Sequence, residues 1–178
     1  MAELFELKTT EAAAYLLQKV AGRMSYLKLI KLLYLSDREA IKQNGLPITF
    51  DDYCVMKFGP VLSKTYDWIK GNINPEFGAF WNSIIQTSGN DVLSRKEVGV
   101  QHLSQSETDV LDSIFSQYGK FSPFDLVKIT HGLPEYKEPP TNTSIPLSIR
   151  EVASQVEPTE QDASRVLEDI ALYKSLYS

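Results

Sequence analysis

The sequence predicts a mainly α fold with one small β-hairpin (α+β), a compact helical domain built around a central buried helix. Two observations carry this. From Tyr26 to Leu35 only Lys28 and Lys31 interrupt apolar residues, too wide an apolar surface for a helix that rests one side on its neighbours, so this helix is expected to be enclosed. Elsewhere helical spacing and helix-start signals dominate, and a single stretch around Ser88-Gly89-Asn90 reads as a hairpin. At 178 residues and 43% hydrophobic content, the chain supports one proper core and is too short for two ordinary domains.

The elements follow in order. Thr9 or Thr10 is placed to cap a first helix running to about Val20, and Gly22 separates it from the central helix. Ser25 stands where an N-cap belongs, and Gly45 where a left-handed residue ends a helix. Tyr53 to Phe58 reads as a short strand or an irregular buried piece, broken by Gly59-Pro60. Pro60 suits the first turn of a third helix reaching about Lys70, with Leu62, Tyr66 and Ile69 on one face.

Phe80 to Thr87 and Asp91 to Val100 are the two expected hairpin arms. Ser104-x-x-Glu107 has capping-box spacing and opens a helix carrying Val110, Leu111, Ile114, Phe115 and Tyr118. Ser122-Pro123-Phe124-Asp125 opens another that ends near His131-Gly132. Leu133 to Pro146 is expected to be a surface connection, Ser148 to Gln155 a short helix, and Thr159 the start of an amphipathic last helix. The expected organisation is a body over residues 1–140 and an acidic helical extension over 141–178.

Net charge is −5, and residues 151–178 supply most of it, with six acids against Arg165 and Lys174. A nearly neutral body with an acidic tail argues against a general nucleic-acid binder, which needs lysine and arginine to displace counterions. No apolar run reaches bilayer length, and Glu3 and Glu6 occupy the region where a signal peptide carries basic residues, so a cytoplasmic protein without membrane association is expected. Cys54 is the single cysteine, which implies a reduced compartment and no structural metal.

Chemistry finds few footholds. His102 and His131 are the only histidines, and a histidine in the last turn of a helix is accounted for by the helix dipole. Cys54 reads as a small buried residue among Tyr53, Val55 and Met56. Asp37, one turn beyond Leu33, is expected to be covered. A covered carboxylate must be paired, so it either ties down the Gly59-Pro60 turn or offers an acceptor to a partner. No acid/base pair, dinucleotide fingerprint or Walker loop is present, so neither an enzyme nor a cofactor is expected.

The run IKLLYLSDREAIKQNGLPI from Ile30 to Ile48, then Tyr53 and Phe58-Gly59-Pro60-Val61 ahead of Tyr66, and finally Ile129-Thr130-His131 with Pro134 and Tyr136, resembles the Panacea antitoxin domain. This is the SocA-like family, which includes phage-associated GepA-like proteins. The shared pattern is a K-L-L-Y-L-x-D helix, a G-x-P-I connection, a G-P-V turn and a late T-H followed by proline and an aromatic residue. It covers about residues 25–136, and Tyr136 stands where tryptophan is common. The resemblance implies a mostly helical antitoxin that neutralises a toxin encoded beside it by direct protein contact. The alternative it implies is a proteolytic adaptor, or phage-associated interaction module, that presents a partner to a cytosolic AAA+ protease. The expected partner-binding residues are Asp37, Tyr53, Phe58, Gly59, Pro60, Thr130, His131 and Tyr136. The toxin's identity and the oligomeric state stay open.

Overall fold

A computed structural model describes residues 4–74 and 76–177. Its centre is α2 (Tyr26–Asn44), whose Leu29, Leu32, Leu33, Tyr34 and Ile41 are completely enclosed. The helix ends as expected: Gly45 adopts φ +75° and its N–H donates to the Ile41 carbonyl. Its start differs in mechanism. Ser25 makes no side-chain cap, because it is also the last residue of strand β1 (Arg23–Ser25), and the Tyr26 N–H donates instead to the Asn90 carbonyl at 2.9 Å.

Helix α1 (Leu4–Gln18) begins well before the expected Thr9 or Thr10 cap. Both threonines lie buried mid-helix, where Thr9 donates to the Thr49 carbonyl at 3.4 Å. The helix extends N-terminally because Glu6 and Lys8 are engaged across it rather than solvated. Glu6 accepts from the Phe80 and Trp81 N–H groups, and Lys8 pairs with Glu107. The first of these contacts also corrects the hairpin. Residues expected as its first arm form α4 (Ala79–Ile84), since Glu6 satisfies the free donors of that helix start from α1. The remaining arms, β4 (Ile85–Ser88) and β5 (Asp91–Ser94), close through Gly89-Asn90, and β1 adds a third antiparallel strand beside β5. Residues 95–100 leave the sheet.

A second sheet, unforeseen apart from its first strand, has the order β3-β2-β6 with β2 (Tyr53–Met56), β3 (Gly59–Leu62) and β6 (Ile145–Leu147), all antiparallel neighbours. Pro60 is therefore a strand residue opposite Val55, not the opening of a helix. It is tolerated because β3 is an edge strand, where a missing N–H breaks no ladder. Lys57 and Phe58 form the two-residue tip between the paired Met56 and Gly59. The third helix, α3 (Ser63–Ile69), starts later and is capped from outside: buried Asp51 accepts from the Lys64 and Thr65 N–H groups at 3.0 and 2.9 Å and from the Thr65 hydroxyl at 2.7 Å.

Helices α5 (Gln105–Tyr118) and α6 (Pro123–His131) carry the expected capping boxes, Ser104 with Glu107 and Ser122 with Asp125. Both pack on α2. The acidic C-terminal region forms β6, α7 (Ile149–Val156) and α8 (Glu160–Tyr177). Leu147, Val152, Ala163, Val166 and Ile170 from this region enter the same hydrophobic core, and α7 lies directly on α2.

Candidate partner-binding site

The expected site residues divide into an enclosed framework and an exposed edge. Asp37 belongs to the framework. It is fully buried and accepts four hydrogen bonds: from the Ile48 N–H at 2.9 Å, the Thr49 N–H at 3.0 Å, the Thr49 hydroxyl, and the Tyr53 hydroxyl at 2.9 Å. It thus ties down the Ile48-Thr49 loop and strand β2, not the Gly59-Pro60 turn. Burial pushes its carboxyl up to about 6, against the opposing pull of those four donors. Tyr53 is buried beside it and is raised well above a free phenol by burial and by the Asp37 charge.

The Gly59-Pro60 turn is held by a different α2 residue. Lys31 is completely enclosed and its Nζ donates to the Pro60 carbonyl at 2.6 Å. Burial lowers this amine to about 7, so near neutrality it is close to shedding its proton. Gly59 has φ +92°, and a Cβ there would lie 2.9 Å from Thr130 Oγ1, 3.2 Å from His131 Cδ2 and 3.3 Å from Lys31 Nζ. The β2–β3 turn and the end of α6 therefore meet across a position only glycine fits. Thr130 is fully buried, with its hydroxyl donating to the Val127 carbonyl at 3.1 Å.

His131 sits at this junction and stacks on Tyr136, with ring centroids 4.2 Å apart and planes 14° from parallel. Both rings are partly exposed, although His131 Nε2 is buried and makes no hydrogen bond. Burial and then the nearby Lys31 ammonium depress the imidazole below its ordinary value. Lys31 is enclosed beside the partly exposed His131, and the two bases together join the hairpin turn to the end of α6. Cys54 lies mid-strand in β2, paired with Val61 and Pro146.

Phe58 is the outward element. At the tip of the β2–β3 hairpin it is 40% exposed and meets Phe124 of α6, itself 60% exposed, edge to face at 5.9 Å. Lys57 Nζ lies 5.4 Å from the Phe58 ring. Phe124 is a functional candidate that the sequence reading passed over; its position directly after Pro123, in the first turn of a helix that buries Leu126, Val127 and Thr130, was the available signal. Glu135 was passed over too. It is buried in the loop after α6 and accepts from the Tyr34 hydroxyl at 2.9 Å and from Arg38 Nε at 2.7 Å, which brings the late segment onto α2. Among the described residues, no group of histidine, cysteine, aspartate and glutamate is arranged to hold a metal, and no helix is long and apolar enough to cross a membrane.

Comparison with known proteins agrees with the pattern in this framework. No curated protein and no solved structure matches the chain. The profile of one family, described as antitoxin SocA-like, Panacea domain, matches residues 29–137, a span that contains Lys31, Asp37, the Gly59-Pro60 turn, Thr130, His131, Glu135 and Tyr136. With more than half of its length matched, this chain belongs to the SocA-like antitoxin family of Panacea domains.

Proposed function

We propose that this protein is an antitoxin that neutralises a toxin encoded beside it by direct protein contact, and that the contact is centred on Phe58 and Phe124. The exposed aromatic pair is the observation that supports this reading. Two phenylalanines from different elements are held side by side in solvent, with Lys57 beside one of them. Aromatic residues, phenylalanine included, are enriched at protein interfaces over the rest of the surface and bury a large apolar area there. Of the other expected contact residues, His131 and Tyr136 are accessible at the same junction, while Asp37, Tyr53, Gly59, Pro60 and Thr130 act from inside by fixing the hairpin and α6. The family's antitoxin character supplies the class of partner.

The test is the affinity of the purified chain for the product of the adjacent reading frame. Alanine at both Phe58 and Phe124 is expected to weaken the complex by about 2 kcal/mol or more, roughly thirtyfold, while the melting temperature stays close to wild type. Unchanged affinity in a folded double variant refutes the site.

The second reading, an adaptor that presents its partner to a cytosolic AAA+ protease, is favoured by one feature. Helix α8 exposes Leu172, Leu176 and Tyr177 while Ala163, Val166 and Ile170 face the core. Such a stripe suits a groove on a partner. Deleting residues 159–178 is not a clean test, because it uncovers that core. Serine at Leu172 and Leu176 is: retained toxin binding with a prolonged toxin half-life supports the adaptor, and an unchanged half-life removes it.

A further inference from the structure

Apart from the Phe58–Phe124 patch, the structure carries an open cavity of about 300 Å³ between α1, the loop after Ile48 and α3. This is the lower end of the size range of small-ligand sites. Its walls are aromatic, contributed by Phe5, Phe50, Trp68 and Phe77. Phe5 and Phe50 lie 4.8 Å apart, and Trp68 rests on the enclosed Trp81 at 5.6 Å, so these rings are braced by one another.

Among them is a carboxylate whose hydrogen bonding is incomplete. Glu6 is only 3% exposed and lines the cavity. Its Oε1 accepts from the Phe80 and Trp81 N–H groups at 2.7 and 3.1 Å, whereas Oε2 is buried with no hydrogen-bond partner. Among the described residues, no lysine, arginine or histidine stands within ion-pair distance of Glu6. A buried carboxylate oxygen without a donor is costly, and such groups mark places where something else supplies the donor.

A second observation points to the same place. Phe50 has φ +52°, a left-handed conformation that a bulky residue rarely adopts. It is held there from both sides, by Thr49 on Asp37 and by Asp51 on the start of α3. Strain of this kind persists where surrounding structure imposes it, and it clusters at ligand sites. Here it coincides with a ring in the cavity wall.

We propose that this cavity binds an alkyl guanidinium or ammonium group, the head of an arginine or lysine side chain or of a free aliphatic amine. The Glu6 side chain, whose Oε2 lies behind the cavity wall, turns that oxygen toward the ligand as the charge-assisted acceptor, and the aromatic wall provides the cation–π surface. An anion is disfavoured, since it meets Glu6 and Asp51 together. Among the described residues, the basic residue lining the cavity is Lys64, whose side chain is more than half exposed and lies 3.7 Å from Asp52, while Lys8, 6.0 Å from the Phe50 ring, is paired with Glu107. Lys64 opposes a bound cation, and its removal strengthens binding.

Tryptophan fluorescence of the full chain reads the site directly, because Trp68 is in the wall and Trp81 is the only other tryptophan. Three probes are titrated: N-acetyl-arginine amide, agmatine and N-acetyl-citrulline amide, the last being the neutral isostere of the first. Saturable quenching by either cation and none by the citrulline compound is the expected result. Tighter binding of the blocked amino acid assigns the site to a partner's side chain, and tighter binding of agmatine assigns it to a free amine. Glu6→Gln keeps an acceptor for the α4 N–H groups and is expected to weaken cation binding by roughly tenfold. Lys64→Ala is expected to tighten it about twofold. Should Glu6→Gln fail to fold, Phe77→Ala at the exposed rim takes its place and must also weaken binding. The proposal fails if no cation saturates, if citrulline binds as well as arginine, if Glu6→Gln or its replacement leaves affinity unchanged, or if Lys64→Ala abolishes binding.

Discussion

Glu135 Oε1 lies 2.7 Å from Arg38 Nε, and this pair latches the loop after α6 to the central helix. The Tyr34 hydroxyl, one helical turn earlier, donates to the same oxygen at 2.9 Å, so one carboxylate spans two turns of α2. Tyr136 follows immediately and stacks on His131. The latch therefore positions the aromatic edge of the candidate interface from inside the fold.

Removing one partner of this pair strands the other in a largely buried setting. Glu135→Ala is expected to lower the unfolding free energy by about 3 kcal/mol in urea denaturation. Adding Arg38→Ala to it should cost little more, so a double-mutant cycle returns a coupling of about 1–3 kcal/mol. Simple additivity of the two single variants contradicts the latch.

Asp37 sets a pH dependence with a definite sign. Its carboxyl is raised from 3.8 to about 6 in the folded chain, so between these values the native state holds a proton that the unfolded state has released. The contribution is fully present below about pH 4 and is lost as pH rises through 6. Relative to Asp37→Asn, which titrates no group there, the wild type should lose about 2–3 kcal/mol of stability between pH 4 and pH 6.5. Unfolding free energies of both proteins across that window measure it, and parallel curves rule it out.

Lys31 acts in the next window. Its amine is lowered from 10.5 to about 7 by burial, so above pH 7 the unfolded chain binds more protons than the native one. Stability from this group is complete above 10.5 and is lost as pH falls through 7. Compared with Lys31→Met, the wild type should gain about 2 kcal/mol between pH 7 and pH 9. Lys31→Met also leaves the Pro60 carbonyl without its donor, which shows as a stability loss at the upper end of the range.

The turn at Gly59 admits no side chain. Gly59→Ala combines a left-handed φ with a Cβ driven to 2.9 Å from Thr130 Oγ1, and it should cost about 2 kcal/mol or more. Thr130→Ala in the same chain relieves the contact but not the backbone strain, so rescue is partial. Full rescue shows that crowding alone mattered, and no loss in the single variant contradicts the geometry.

What was legible in the sequence was whatever local chemistry decides. Gly45 ends α2 through its own backbone, and the Ser104–Glu107 and Ser122–Asp125 boxes satisfy their own helix starts within four residues. The errors share one cause: the deciding partner lies far along the chain. Glu6 caps α4 some seventy residues away, which turned an apparent strand into a helix. Asp51 caps α3 from outside, which left Pro60 free to be an edge-strand residue. For the candidate site, the pattern included the buried framework and the exposed Phe58, and missed the second half of the aromatic pair. Asp37, Tyr53 and Thr130 are buried, while Phe124, which borders Phe58, is marked in sequence only by its place directly after Pro123 in the first turn of α6.

Contact between Phe58 and the partner is the central claim, and site-specific photo-crosslinking tests it most directly. A benzophenone side chain is placed at position 58 or at position 172, and the chain is irradiated with the product of the adjacent reading frame. The expected result is a covalent adduct from position 58 that Phe124→Ala diminishes, and none from position 172. An adduct from position 172 alone contradicts the account.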